Sequence, residues 1–409
     1  MTIYMGEPLN INHTIGLDTL YPVIRCEIQF ESILDRQRFI EAVGAVVKIV
    51  PELLCRYQVN TNSFEQVTTN CNDLIKYNVV DPDLDAENWD LMLEPQIRIY
   101  WNDRNGQTNL IIYFSHILTD GAGSKQILYL LAMAYSEGPD VLKNVHNYQN
   151  IDWLEEMLQD YQPSSVRSDH PTKPLSLPQL AKEGKQHYCV GNVCLSQKNT
   201  DRLFRASHIA KVTVNDIVMA AFGHVVQRFS GNDTISFACP ADMRKFGPKV
   251  AGVQVANLTS RYNLSISTSP EESFERLVEH VHQKMLELKH EYQCFDSIKA
   301  LLDNYKDQPL TKLQEIVQAN YHIREIGYTN FGILDSGKLA FTGNKIKRVI
   351  LTGGFRIAPM FQIAAVTYQQ QLHLSFNMIG TESEYAVGLA LTQSVADLIN
   401  NFSLNVLFD

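Results

Sequence analysis

Apolar residues recur at two alternating spacings along this chain, and the alternation restricts the folds that it can adopt. Over 24–30 they occupy every second position, which is typical of a half-buried strand, and over 39–50 they follow a helical spacing until Pro51. The second half repeats this order, with a helical pattern after Thr213 and a strand-like segment at 235–239. We therefore predict an α+β fold, a mixed α/β sandwich in which each half is a mixed sheet covered by helices.

The length of the chain favours two sizeable domains. It has 409 residues, and single domains usually span about 100 to 200. The segment 162–178 is dense in proline, serine and charge, the composition of an exposed connector. We predict an N-terminal half at 1–170 and a C-terminal half at 171–409.

Two Ser/Thr–Glu pairs predict where helices begin in the second half. Ser269 is followed by Pro270 and, three residues on, by Glu272, which combines a capping box with a proline at the first helical position. Thr381 and Glu384 form a second such box, after a predicted hairpin of the strand-like segments 361–368 and 372–378.

Charge and composition exclude several classes of protein. A net charge of −10 with no basic run disfavours nucleic-acid binding. The N-terminus lacks signal-peptide features, and no segment approaches the ~20 consecutive apolar residues of a membrane span, so we expect a cytoplasmic protein. The seven cysteines include no CxxC pair, which indicates buried free thiols and neither a disulfide framework nor a zinc site.

A predicted hairpin leads directly to a histidine. The segment 97–101 alternates, 102–106 is a turn, and 110–114 is an apolar strand that ends just before His116. Asp120 and Gly121 then open a glycine-containing turn that precedes a helical pattern. His116 is therefore predicted to lie at a strand-to-helix junction, where an imidazole could accept and return a proton near neutral pH.

The segment 113–123, YFSHILTDGAG, resembles the HHxxxDG signature of the chloramphenicol-acetyltransferase-like superfamily, which includes peptide-synthetase condensation domains and alcohol acyltransferases. Weaker landmarks follow in the family's order at 215–221, 240–244, 252–257 and 329–332. The resemblance covers most of the chain and implies two similar halves with a tunnel between them.

Roles of individual residues follow from this resemblance. His116 matches the catalytic base, Gly121 the turn glycine, and Asp120 a mainly structural aspartate that pairs with an arginine. Arg244 is the first candidate for that arginine and Arg56 the second. The chain departs from the signature at the first histidine, where it has Ser115.

The reaction implied is direct acyl transfer in a ternary complex, without an acyl-enzyme. His116 would deprotonate a hydroxyl or amine acceptor, and Thr329 or Asn330 would stabilise the oxyanion, with Ser115 as a further candidate at the tunnel. The co-substrate would be a thioester of CoA or of phosphopantetheine, and no permanently bound cofactor is expected. We expect a monomer, because one chain supplies both sides of the tunnel.

Two alternatives stay open at this point. The chain could be a stand-alone condensation domain that works with a carrier protein, or a degenerate binding protein of the same fold, which Ser115 would favour. A metal site is not expected, because no third ligand accompanies His116 and Asp120 at a recognisable spacing. The pair Gly353–Gly354 lacks the Lys-Ser/Thr that follows in phosphate-binding loops and indicates a bulge or turn.

Overall fold

The computed structural model describes residues 2–163, 174–180, 184–321 and 323–408. The boundary expected between residues 170 and 171 lies outside the described residues. The strands are β1 (Ile3–Met5), β2 (Val23–Phe30), β3 (Cys55–Gln58), β4 (Ser63–Gln66), β5 (Ile75–Tyr77), β6 (Ile97–Arg104), β7 (Gln107–Ser115), β8 (His187–Cys194), β9 (Thr234–Asp242), β10 (Thr259–Ser267), β11 (Ile326–Leu334), β12 (Ile346–Thr352), β13 (Phe361–Tyr368) and β14 (Gln371–Gly380). The α-helices are α1 (Arg36–Ile49), α2 (Pro82–Glu87), α3 (Gly121–Glu137), α4 (Asp152–Leu158), α5 (Gln197–Ala210), α6 (Val214–Ser230), α7 (Phe274–His290), α8 (Asp296–Asn304), α9 (Leu310–Asn320) and α10 (Glu382–Phe408).

The first sheet has five strands in the order β12-β2-β7-β6-β5, antiparallel except for the parallel pair β5 and β6. Its core includes α1, whose Phe39 packs edge-on against Trp101 of β6 with ring centroids 5.2 Å apart. Both side chains are fully buried, and burying a side chain such as that of Phe39 contributes roughly 1.5–3 kcal/mol to folding. The apolar residues that follow Phe39 at helical spacing therefore form the face of α1 that packs against the sheet.

The second sheet has four strands in the order β11-β13-β14-β8, of which β11 and β13 are parallel. The antiparallel pair β9 and β10 lies beside it, and α5, α6, α7 and α10 cover this half. Phe222 of α6 and Phe361 of β13 belong to its core, which is separate from the core of the first sheet. The predicted mixed α/β sandwich with two halves is confirmed.

One strand joins the two halves. β12 lies between β11 and β13 in the sequence but pairs with β2, so that Ile350 lies opposite Glu27 and Thr352 opposite Arg25. A segment far along the chain thus completes the edge of the first sheet.

The two predicted helix starts differ in outcome. Thr381 and Glu384 form the expected capping box at α10, with Thr381 N donating to Glu384 Oε2 at 2.8 Å. The start at Ser269 is wrong, because α7 begins at Phe274 with Ser273 as its N-cap. Ser269 instead begins a turn, in which its carbonyl accepts from Glu272 N at 3.0 Å.

Among the residues that the structure describes, no single helix has the length and apolar composition needed to cross a membrane. The pair α5 and α6 meets that criterion only when the two are taken together, and their axes are bent by 102°.

Candidate active site

His116 lies in the short loop between the end of β7 and the start of α3, and backbone contacts fix it from two sides. Its amide donates to Pro22 O at 2.7 Å, and its carbonyl accepts from Asn257 Nδ2 at 2.8 Å. Pro22 immediately precedes β2, whereas Asn257 comes from the second half. The position of the imidazole therefore depends on both halves.

Asp120 anchors the other end of this loop and is 1% exposed. Its Oδ1 accepts from the amides of Ala122 and Gly123, at 3.1 and 2.8 Å, and so caps α3. Its Oδ2 accepts from Leu258 N and from Arg244 Nη1, both at 2.8 Å. Burial alone would raise the pKa of Asp120, but the guanidinium and these hydrogen bonds outweigh burial and lower it.

Arg244 connects Asp120 to the segment before β10. Besides Asp120, its guanidinium donates to Asp242 Oδ1 at 2.9 Å, to Gln254 O at 2.8 Å and to Ala256 O at 2.8 Å. The fork geometry of arginine matches such a set of oxygens, which a lysine could not reproduce. Arg244 is thus the partner of Asp120.

Arg56, the second candidate for this pairing, lies elsewhere. It bonds Glu65 Oε2 at 2.7 Å, across the pair of short strands β3 and β4. The expectation that Arg56 belongs to the active site is therefore wrong, because its charge is already satisfied by a carboxylate of its own small sheet.

Gly121 begins α3, and its backbone does not have the positive φ of a left-handed turn. A Cβ at this position would come 2.9 Å from the Phe331 ring. Glycine is needed here for close packing between α3 and β11, and not for the turn conformation that the sequence indicated.

A second histidine lies against His116. The rings of His13 and His116 are stacked, with centroids 3.9 Å apart and planes inclined by 17°. His13 ends a short 3-10 helix, Pro8–His13, and Asn10 of that helix donates to Ile117 O at 2.6 Å. The N-terminal helix and the His116 loop are therefore held together. Sequence reasoning missed His13, because 102 residues separate it from His116 and no motif includes it.

Both imidazoles favour the neutral form. Burial lowers the pKa of His116, while the Asp120 carboxylate opposes this shift in part. Burial, with His116 and Arg261 nearby, holds the pKa of His13 well below its ordinary value. Within the described chain, His116 Nδ1 and His13 Nε2 have no hydrogen-bond partner.

Both histidines line a cavity of about 440 Å³. Its walls come from the N-terminal segment, the His116 loop, β9 to β11 and the segment after β12, so both halves contribute. A cavity of this size matches the range of small-molecule sites. Gly353 and Gly354, predicted as a bulge or turn, follow β12 and also line it.

The three predicted oxyanion or tunnel residues are placed differently. Thr329 lines the cavity, and within the described residues its hydroxyl makes no hydrogen bond to the protein. Asn330 also lines it, but its side chain donates to Asn215 Oδ1 at 2.9 Å and accepts from Gly332 N at 2.7 Å. Ser115 is fully buried outside the cavity lining, where its Oγ accepts from Ile117 N at 3.2 Å. Thr329 is the best-placed donor of the three.

Sequence reasoning also missed most of the charged lining, which no motif indicates. Among the described residues, the cations are Lys125, Lys245, Arg261, Arg324 and Arg356. In the same part of the chain, no group of three or more His, Cys, Asp or Glu is placed to hold a metal ion.

Comparison with known proteins shows the family to which the chain belongs. The model of the family described as "Condensation domain" matches residues 29–347. No curated protein matches the chain.

Several solved structures share the fold over nearly their whole length. The first condensation domain of the calcium-dependent antibiotic synthetase, in complex with a substrate analogue, is 15% identical, with 98% of this chain and 97% of that chain covered and a TM-score of 0.67. Polyketide synthase associated protein 5 from Mycobacterium tuberculosis is 14% identical, with 98% of each chain covered and a TM-score of 0.65. The condensation domain of the Monacolin K polyketide synthase is 13% identical, with 99% of this chain and 98% of that chain covered and a TM-score of 0.64.

Proposed function

This chain belongs to the condensation-domain family, and we propose that it transfers an acyl group from a thioester to a hydroxyl or amine acceptor, with His116 as the general base. The observation that carries the proposal is the placement of His116, which lines a cavity formed by both halves and is fixed by contacts from Pro22 and Asn257. A general base must lie where the acceptor binds and must be unprotonated before the reaction. The lowered pKa of His116 meets the second condition at neutral pH.

The chemical step needs one proton carrier. As the acceptor oxygen or nitrogen bonds to the thioester carbonyl carbon, its proton moves to the imidazole of His116. The tetrahedral intermediate then collapses, the C–S bond breaks, and the proton passes from the imidazolium to the thiolate that leaves. The carbonyl oxygen carries the negative charge meanwhile, and the free hydroxyl of Thr329 is the donor that we assign to it.

Direct transfer is supported by the composition of the cavity. Among its described lining residues there is neither serine nor cysteine, so the two commonest nucleophiles of acyl-enzymes are absent from it. Asp120 is engaged by Arg244 and by three backbone amides. Its role in this proposal is to hold the loop, and not to move protons.

A second candidate is a condensation reaction whose donor is bound to a carrier protein. The family match favours it, and the similar structures include condensation, epimerization and cyclization domains of synthetases. Both candidates use the same His116 chemistry and differ in the molecule that holds the thioester.

The test offers the purified protein acetyl-CoA and longer acyl-CoAs with alcohols or amines, and records thiol release and the acylated product. We expect turnover that His116→Ala abolishes, whereas His290→Ala, an exposed histidine at the end of α7, leaves it unchanged. Turnover that survives in His116→Ala would contradict the general-base role. Turnover only with an acylated pantetheinyl carrier protein would favour the second candidate. No turnover with either donor would favour a degenerate binding protein of the same fold.

A further inference from the structure

The charge of the cavity is opposite to that of the chain. The chain carries a net charge of −10, yet the described lining contains five lysines or arginines against the carboxylates of Asp120 and Asp242. Arg244 binds both of these carboxylates, at 2.8 and 2.9 Å. The lining therefore has a surplus of positive charge, which attracts anions into the cavity.

Arg356 is the most unusual of these cations. It is 5% exposed, and its Nη1 donates to the Arg324 carbonyl at 2.6 Å, with a long contact of 3.5 Å from Nε to Gln362 Oε1. Among the described residues, no carboxylate lies within hydrogen-bond distance of its guanidinium. Burial, with no acid to oppose it, lowers the pKa of Arg356 to about 10.

Two other buried arginines, Arg25 and Arg98, form ion pairs with carboxylates. Arg25 bonds Asp83 and Glu27, and Arg98 bonds Asp85 and Glu94. Each of these guanidinium groups contacts two carboxylates, which offset the cost of burying its charge. Arg356 has only carbonyl and amide oxygens, although it lines the cavity.

The Arg356 guanidinium lies close to the backbone of β11. A Cβ at residue 327 would come 2.6 Å from Arg356 Nη2, so Gly327 permits the guanidinium to lie against β11. A short path links this position to the base: Arg356 forms a backbone bridge with Leu20, and Pro22 accepts from the His116 amide at 2.7 Å. Arg356 and His116 thus belong to walls of one cavity.

We propose that Arg356 binds a carboxylate carried by one of the two substrates, which makes this chain selective for an acidic acceptor or an acidic acyl group. The inference rests on the proposed function, because it assigns the cavity to the substrates. A planar carboxylate matches the fork of a guanidinium and supplies the counter-charge that Arg356 lacks. The carboxylate can belong to the acyl donor or to the acceptor, and turnover experiments distinguish these two possibilities.

The first experiment measures binding without turnover. Succinate and benzoate are titrated into the protein by calorimetry, with succinamide and benzamide as neutral controls. We expect the acids to bind at least tenfold more tightly than the amides, and Arg356→Gln to remove this difference. Arg205→Gln, an exposed arginine of α5 outside the cavity lining, should bind as the wild type does. Equal binding of acids and amides, or unchanged binding by Arg356→Gln, would overturn the proposal.

Two further variants keep this result interpretable. If circular dichroism shows that Arg356→Gln does not fold, Arg356→Lys is used in its place. Lysine keeps the charge but lacks the planar guanidinium, so the affinity of this variant for the acids should fall several-fold. An affinity equal to that of the wild type would count against the proposal. His116→Ala should lose turnover yet bind succinate normally. Succinate binding therefore tests the carboxylate site, and turnover separately tests the proposed reaction.

Turnover then identifies the substrate that carries the acid. Succinyl-CoA is compared with butyryl-CoA, and amino acids are compared with their amides as acceptors. A preference for the acidic member of one pair, lost in Arg356→Gln, would support the proposal and name the source. Equal rates within both pairs would refute it.

Discussion

Arg244 Nη1 lies 2.8 Å from Asp120 Oδ2, and this buried ion pair joins the loop that carries His116 to the second half of the chain. The two residues are 124 positions apart. Because Asp120 also caps α3 and accepts from Leu258 N, one carboxylate fixes three segments at once.

Removing the arginine of this pair should destabilise the protein strongly. Arg244→Met leaves the Asp120 carboxylate buried without its counter-charge, so we expect the free energy of unfolding to fall by about 3–5 kcal/mol in chemical denaturation. Arg56→Met is the control, because its ion pair with Glu65 is partly exposed and its loss should lower the free energy of unfolding much less. Equal losses in the two variants would contradict the anchoring role of Arg244.

The pH dependence of the reaction should reveal the state of His116. In the proposed reaction the neutral imidazole is the active form, and burial lowers its pKa below the ordinary value of 6.5. Protonation therefore begins only at more acidic pH, so the acid limb of kcat/KM should have its midpoint below 6.5. A midpoint at or above 6.5 in a pH series of initial rates would show that the buried environment does not govern this base.

The stacked ring of His13 should matter through its shape. His13→Ala removes the surface against which the His116 ring lies, and a misplaced base would lower kcat by about tenfold or more. His13→Phe restores an aromatic face and should retain more activity than His13→Ala. If the phenylalanine variant is instead as poor as the alanine variant, the ring nitrogens of His13 take part in the chemistry.

Thr329 should act through its hydroxyl. Thr329→Val keeps the shape of the side chain and deletes the donor, so we expect kcat to fall on the order of 10²-fold with little change in KM. Thr259→Val makes the same replacement at another residue of the cavity lining and should have a smaller effect. Equal effects would remove Thr329 from the oxyanion role.

The spacing of apolar residues predicted those strands and helices that bury one face along a single continuous segment of the chain. The strand at 24–30 and the helix ended by Pro51 are present as β2 and α1, because alternation and helical spacing each describe one buried face. The helix start predicted at Ser269 was wrong, although the sequence there fits a capping box. Its hydroxyl bonds Glu271, two residues on, and that local turn competes with helix formation.

The candidate site was predictable only where a motif spans it. His116, Asp120 and Gly121 lie within six residues, and Arg244 was indicated by a later landmark. His13 and Arg356 come from distant segments that meet only after both halves have folded, and neither has a neighbour in sequence that marks it. The pairing of β12 with β2 was beyond sequence reasoning for the same reason.

That last pairing also sets an order of events during synthesis. The ribosome makes β2, β7, β6 and β5 early, but the strand that closes the β2 edge is complete only at residue 352 of 409. Until then the nascent first half presents a row of unpaired amides and carbonyls, the feature by which strands of different chains associate. Until β12 has been made, the N-terminal half therefore has an open edge at β2 through which it can associate with other chains.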